Sequence, residues 1–461
     1  MNSIIVSALL GVIMMFSGIF TTNKSTIKNI AILGLAVLLF VNIADTYGWY
    51  NITVDSKRML EFTRFGLLFN SIAIFSTLVY VILSGSDFAK VGNYVAEYFA
   101  LIFFVLCGAS VLSAYNSLLM LFLGVEIMTI PLYILAGTDK KNLKSNEASL
   151  KYFLMGAFST GIMLMGIALI YGVNGNFGIA FEIPAPNSPI PNYGILLPLG
   201  LLFMFVSMSF KVSAAPFHFW TPDVYDGTPA VFTSFMATVV KAAGFIAFIK
   251  LFQTHYFQLQ ASWKIILPLV IIATLFIGNI TAVFQQSVKR MLAYSSIAQA
   301  GFMLFALYSN NDMSNEGILL YSAAYSFATI GIFSVLIKMK DYTFEGFNGL
   351  AKTQPVLAAT TTVFLLSLAG IPLTAGFFAK YFMLSSAIKQ HNGFFMVIIA
   401  VLFAAVSVYY YFRVIQAMYF KNGDAETAEI NGRFKLGLIV LAALIILLGI
   451  MPNMLLQYLY F

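Results

Sequence analysis

Glu126, Lys211, Lys241 and Lys380 lie inside long apolar runs of a chain in which only 9% of residues are charged and 60% are hydrophobic. On insertion scales a charge at the centre of a membrane helix costs roughly 2.5 to 3.5 kcal/mol. Four of them, three being lysines, point to a chain that moves charge. Glu126 sits in LFLGVEIMTIPLYILAG, with Pro131 five residues later. Lys211 precedes Pro216 in FMFVSMSFKVSAAPFHFWTP. Proline cannot donate a backbone hydrogen bond, so the helix breaks close to the lysine. Broken membrane helices are tolerated only where the freed carbonyls face protein or a watery cavity. Lys241 falls about twelve residues into its span, too deep to snorkel easily. Lys380 follows Gly370, Pro372 and Gly376, a second break with a nearby lysine. Burial disfavours the charged form of a titratable group, whereas an opposite charge close by favours it. A row of such groups joined by water can therefore pass protons. His218, just past the first break, is a possible further relay; its competing role is to donate to a freed carbonyl. The competing reading of Glu126 is a structural ion pair between helices, and of Lys211 a lysine snorkelling from a helix end.

These residues must be positioned by membrane helices. A mean hydropathy of +0.90 and repeated apolar runs of about 20 residues predict an all-α polytopic protein. Spans are expected near 3–20, 29–46, 66–84, 95–114, 117–137, 150–172, 192–217, 229–251, 265–284, 290–309, 317–338, 355–384, 393–420 and 434–458. That makes about fourteen crossings. The two breaks suggest two inverted repeats with discontinuous helices. The chain divides into N-terminal helices (1–114), a transporting core (115–385) and C-terminal helices (386–461). The first apolar run reads as a retained helix.

Basic residues test the topology. One set of loops carries 15 lysines and arginines and the other six, with four more inside spans. The bias places both termini outside the cytoplasm. The loop Tyr47–Phe65 runs against it; the proline-rich loop Tyr171–Asn192, without Lys or Arg, agrees. The net charge of +7 is spread over loops and does not indicate nucleic acid. A single cysteine, Cys107, rules out a disulfide framework. The three histidines are far apart and no Gly-rich nucleotide loop follows a strand, so no metal or redox cofactor is expected in this chain. Asp223 and Asp226 are expected to cap the next helix. Arg413, in a tyrosine-rich span, reads as an interfacial anchor.

The stretch FKVSAAPFHFWTPDVYDGTPAVFTSFMATVVKAAGF (210–245) resembles the antiporter-like membrane subunits of respiratory complex I. GNITAVFQQSVKRMLAYSSIAQAGFML (278–304) and GIPLTAGFFAK resemble the same family, and the match covers roughly 115–385. PDVYDGTP and SSIAQAGF look most like its N-type branch. The resemblance implies a translocase subunit of a bacterial inner (cell) membrane NADH-quinone oxidoreductase. Glu126, Lys211, Lys241 and Lys380 then match the family's relay positions, and His218 a histidine of the broken helix. It also implies other membrane-arm subunits as partners, with NADH, FMN, iron–sulfur clusters and quinone held there and none in this chain. Two related readings stay open: a multisubunit sodium/proton antiporter, and a membrane-bound hydrogenase-type redox pump. A transport-free scaffold is the third.

Overall fold

The computed structural model describes residues 1–49, 58–179, 194–255, 260–390 and 392–460. The proline-rich outer loop and His391 lie outside the described residues, as does part of the loop after the second span. The described chain is a bundle of helices: α1 (Asn2–Phe20), α2 (Lys24–Thr46), α3 (Arg64–Ser84), α4 (Val95–Ala114), α5 (Leu118–Ala136) and α6 (Leu143–Asn174). Then come α7 (Leu196–Lys211) and α8 (Trp220–Gly227), which form one broken crossing. α9 (Ala230–Gln253) is continuous. α10 (Gln260–Val283), α11 (Val288–Met303) and α12 (Asp312–Leu336) follow. The second broken crossing is α13 (Pro355–Ala369) with α14 (Ala375–Ala387); α15 (Gly393–Phe420) and α16 (Gly432–Ile450) complete the bundle.

Among the described residues, twelve helices are long and apolar enough to cross a membrane. The two broken crossings account for the other two of the fourteen expected. α6 begins earlier than expected, because the side chain of Asn142 accepts from the Lys144 amide and caps the helix there. Lys144 and Lys151 therefore belong to its first turns and not to a loop.

The order of burial inverts the rule for soluble proteins. The three least apolar spans, α9, α11 and α12, are the most buried, while the very apolar α1 and α15 have the smallest share of buried residues. Lipid is as apolar as leucine, so hydrophobicity does not select the interior of a membrane bundle; polar groups seeking partners do. α12 is the axis: it packs against α3, α9, α13, α14 and α16. The helices carrying Lys241 and Lys380 both lie against it.

Each break finds partners for backbone groups that it frees. Past Lys211 the backbone turns through Ser213 (φ 65°) and on to Pro216. The Ala215 amide then donates to Thr274 Oγ1 of α10 at 2.9 Å. Trp220 Nε1 donates to the Phe210 carbonyl at 3.0 Å, and Thr221 Oγ1 to Ser213 Oγ at 2.7 Å. The second break turns at Gly370 (φ 84°) and Leu373 (φ 72°). There α14 lies so close to α13 that a Cβ on Gly376 would be 1.8 Å from the Ser367 carbonyl oxygen.

Candidate functional site

Lys241 is 2% exposed. It follows a π-helical turn, Met236–Val240, inside α9. Such an inserted residue re-aims the side chains after it, and Lys241 points at α11. Its ammonium donates to the Ser296 carbonyl at 2.6 Å and to the Ser296 hydroxyl. No carboxylate lies within 4 Å of it among the described residues. Tyr225 and Tyr325 are buried beside Ser296, and the Tyr225 hydroxyl donates to the Met236 carbonyl at 3.3 Å.

Lys380, 7% exposed, takes up the carbonyls freed by the second break. It donates to Leu368 O and Ala369 O, both at 2.9 Å, and sits 4.7 Å above the Phe302 ring. A narrow cavity between α11, α12 and α14 is lined by Lys380, Gln299, Tyr321 and Tyr325. Tyr325 therefore borders Lys380 on one side and Ser296, with Lys241, on the other. The Gln299 amide donates to Leu368 O at 3.0 Å and to the Tyr411 hydroxyl at 3.1 Å. Tyr321 donates to Gln299 Oε1, and Ser295 pairs with Tyr411.

Glu126 and Lys211 meet at one hydroxyl. Thr160 Oγ1 on α6 donates to Glu126 Oε1 at 2.9 Å and accepts from Lys211 Nζ at 3.4 Å. The same hydroxyl lies 3.0 Å from the Gly156 carbonyl, an alternative acceptor for its single proton. The pair is thus bridged and not in direct contact. Beside Lys211, Val212 Cγ1 would lie 3.3 Å from a Cβ on Gly244, one turn beyond Lys241 on α9. His218 is buried, and its ring reaches the Pro216 carbonyl while Nδ1 has no partner among the described residues. No direct hydrogen bond joins it to the other four.

Two expectations are corrected. Asp223 and Asp226 do not cap α9, whose N-cap Pro229 receives no side-chain bond. Asp223 pairs with Lys151 at 2.8 Å and with Arg290 at 3.2 Å, and Asp226 faces Arg290 at 3.8 Å. Two partly exposed bases draw the carboxylates away from the helix end. Arg413 is no lipid anchor. It donates to Val283 O at 3.3 Å, Gln285 O at 3.0 Å and Gln286 Oε1 at 3.2 Å, and stacks 3.8 Å over Phe344. It satisfies the last carbonyl of α10, at Val283, and that of Gln285 just past it. Sequence reasoning also missed Thr160, Ser296, Tyr325 and Gln299. Their signal was available as hydroxyls and an amide set inside spans, most densely in AYSSIAQAG.

Residues 114–407 match the family model described as NADH:quinone oxidoreductase/Mrp antiporter, TM. The chain is 40% identical over 465 residues to NADH-quinone oxidoreductase subunit N of Cytophaga hutchinsonii, covering 99% of each chain. It is 37% identical to the subunit N of Trichlorobacter lovleyi over 98% of this chain and 94% of that one. Among solved structures it is similar to a chain of respiratory complex I from Thermus thermophilus, with a TM-score of 0.83, 29% identity, and 99% and 98% of the two chains covered. The chain belongs to the NADH:quinone oxidoreductase/Mrp antiporter transmembrane family, within its subunit N group.

Proposed function

We propose that this chain carries protons through the membrane arm of an NADH-quinone oxidoreductase, using Glu126, Lys211, Lys241 and Lys380 as the exchanging groups. The observation that carries the reading is the surroundings of Lys241. It is a lysine in the middle of the bundle and, among the described residues, has no carboxylate in reach and is held by Ser296 alone. A permanent structural charge would be paired; an amine meant to gain and lose a proton is better served by hydroxyls, which both accept and donate. Ser296 and Tyr325 extend the same chemistry to the cavity at Lys380. Lysine suits this work because burial readily releases its proton, whereas arginine keeps its own. Glu126, bridged through Thr160, sets the charge that Lys211 experiences.

In this reading the core spans roughly 115–385. NADH, FMN, the iron–sulfur clusters and quinone belong to partner subunits, and this chain contributes only proton transfer. The decisive experiment is Lys241→Met in the assembled complex, reconstituted in proteoliposomes and driven by NADH with quinone. Fewer protons pumped per electron is the expected result. An unchanged ratio in a fully assembled complex overturns the reading.

A further inference from the structure

One backbone contact occurs in both inverted repeats and sets them in register. Ser117 opens α5 and bridges Gly178, past the end of α6; Ser287 opens α11 and bridges Thr343, past the end of α12. The Leu118 amide donates to Phe177 O at 2.7 Å, and the Val288 amide to Tyr342 O at 2.8 Å. The first bridge falls in the lysine-free outer loop and the second next in sequence to Lys289 and Arg290. The pattern thus recurs on the opposite face, as inversion requires.

Glu126 stands eight residues after Leu118 in α5, and Ser296 eight residues after Val288 in α11. Both helices run unbroken over that stretch, so the two side chains share one turn and one face of their repeats. Their surroundings correspond. Glu126 meets the hydroxyl of Thr160 on α6, and Ser296 has Tyr325 of α12 beside it. Thr160 leads on to Lys211, and Tyr325 to the cavity at Lys380. The repeats differ at the position itself. A carboxylate in the first is a neutral hydroxyl in the second, where it takes the ammonium of Lys241. Gln299, on the next turn of α11, borders Lys380 and is likewise uncharged, though glutamate has the same size.

We propose that Ser296 is the second repeat's counterpart of Glu126, a positioning residue whose neutrality, shared by Gln299, leaves the lysines of this repeat free to part with a proton. This rests on the proton-carrying function proposed above. An opposite charge within about 4 to 6 Å favours the charged form of a titratable group. Glu126 offers one to Lys211 through Thr160, so the first repeat stabilises a bound proton. Ser296 orients Lys241 through its carbonyl and hydroxyl and offers none. The difference gives two otherwise similar half-sites a direction.

The test compares Ser296→Asp with Ser296→Asn in the intact complex, reconstituted in proteoliposomes at matched complex content. The two side chains differ in charge and hardly in size, so crowding affects both alike. Ser296→Asn should keep most of the NADH-driven pumping rate, whereas Ser296→Asp should slow it roughly tenfold or more, because a paired carboxylate holds the ammonium charged. Ser296→Thr retains the hydroxyl and should pump normally. Equal rates for the aspartate and asparagine variants, or the reverse order, would overturn the proposal, as would a loss in Ser296→Thr as deep as in Ser296→Asp. Should the Ser296 variants fail to assemble, Gln299→Glu against Gln299→Met decides. The methionine removes the amide's hydrogen bonds without adding charge, so a deeper loss in Gln299→Glu supports the proposal and equal losses overturn it. Equal rates within the pair tested, alongside loss in Lys241→Met, would reject the role of Ser296 and leave the proposed function standing. A normal proton-to-electron ratio in Lys241→Met would reject the function itself.

Discussion

At the scale of single residues, the site is built from lysines that lack direct carboxylate partners. Thr160 is the sharpest case. Its hydroxyl is the only atom seen to touch both Glu126 and Lys211 among the described residues. A hydrogen bond to a charged group contributes about 1.5 to 3 kcal/mol, and each 1.36 kcal/mol is roughly a factor of ten in rate. Thr160→Val keeps the shape and removes the bridge. It should slow NADH-driven pumping by roughly tenfold or more, while Thr160→Ser retains most of it. Dye-quenching rates in vesicles with matched complex content will show this, and equal rates for the valine and serine variants would exclude the bridge. The proposed role of Lys380 is open to a similar contrast. Lys380→Met should stop transfer through the cavity beside Tyr325, whereas Lys380→Glu keeps an exchangeable proton and should retain part of it.

At the scale of elements, two local irregularities aim the lysines. The π-helical turn Met236–Val240 sets the direction of Lys241. Deleting Thr238 would rotate everything beyond it by about 100° in a helix of 3.6 residues per turn. The span would still cross the membrane, but Lys241 would leave Ser296. Pumping should disappear while membrane insertion, followed by protease protection, stays normal. At the second break, Gly376 leaves no room for a side chain against the Ser367 carbonyl. Overpacking costs about 1 to 3 kcal/mol where neighbours can shift, and a backbone oxygen in a packed bundle shifts poorly. Gly376→Ala should therefore reduce the amount of assembled complex on native gels, and normal assembly would show that α13 and α14 can separate.

At the scale of the whole molecule, an ion pair joins distant parts of the chain. Lys338 Nζ binds Asp87 at 2.6 and 2.8 Å, and Lys90 binds the same carboxylate at 2.8 Å. The Lys338 ammonium also lies 5.0 Å from the Phe434 ring centre, at the start of α16. The contact ties the ends of α3, α12 and α16. Removing one partner of a buried pair costs about 3 to 5 kcal/mol. Asp87→Asn should be the more harmful change, since it leaves Lys338 buried and unpaired. Lys338→Met leaves Asp87 with Lys90 and should be milder. Thermal unfolding of the purified complex will rank them, and the reverse order would show that Lys90 does not compensate. Orientation belongs to this scale as well: a cysteine at exposed Leu143, in a Cys107→Ala chain, should label from the cytoplasmic side, as the loop lysines require.

Composition and hydropathy alone determined the class, the fourteen crossings and both breaks. Apolar length, proline and glycine act locally, and lipid leaves the backbone no alternative to helix. The four charged positions stood out for a related reason: in so apolar a chain, a mid-span charge is costly and therefore conspicuous. The tertiary structure decided what those charges touch. Thr160 stands 34 residues from Glu126, and Ser296 stands 55 residues from Lys241, so no local pattern could pair them. It also moved Lys289 and Lys338 from loops into the interior, and Arg413 from the lipid surface to the end of α10. Helix ends fold back over one another in the bundle, and only that packing determines whether a terminal lysine or arginine meets water, a carbonyl or a carboxylate.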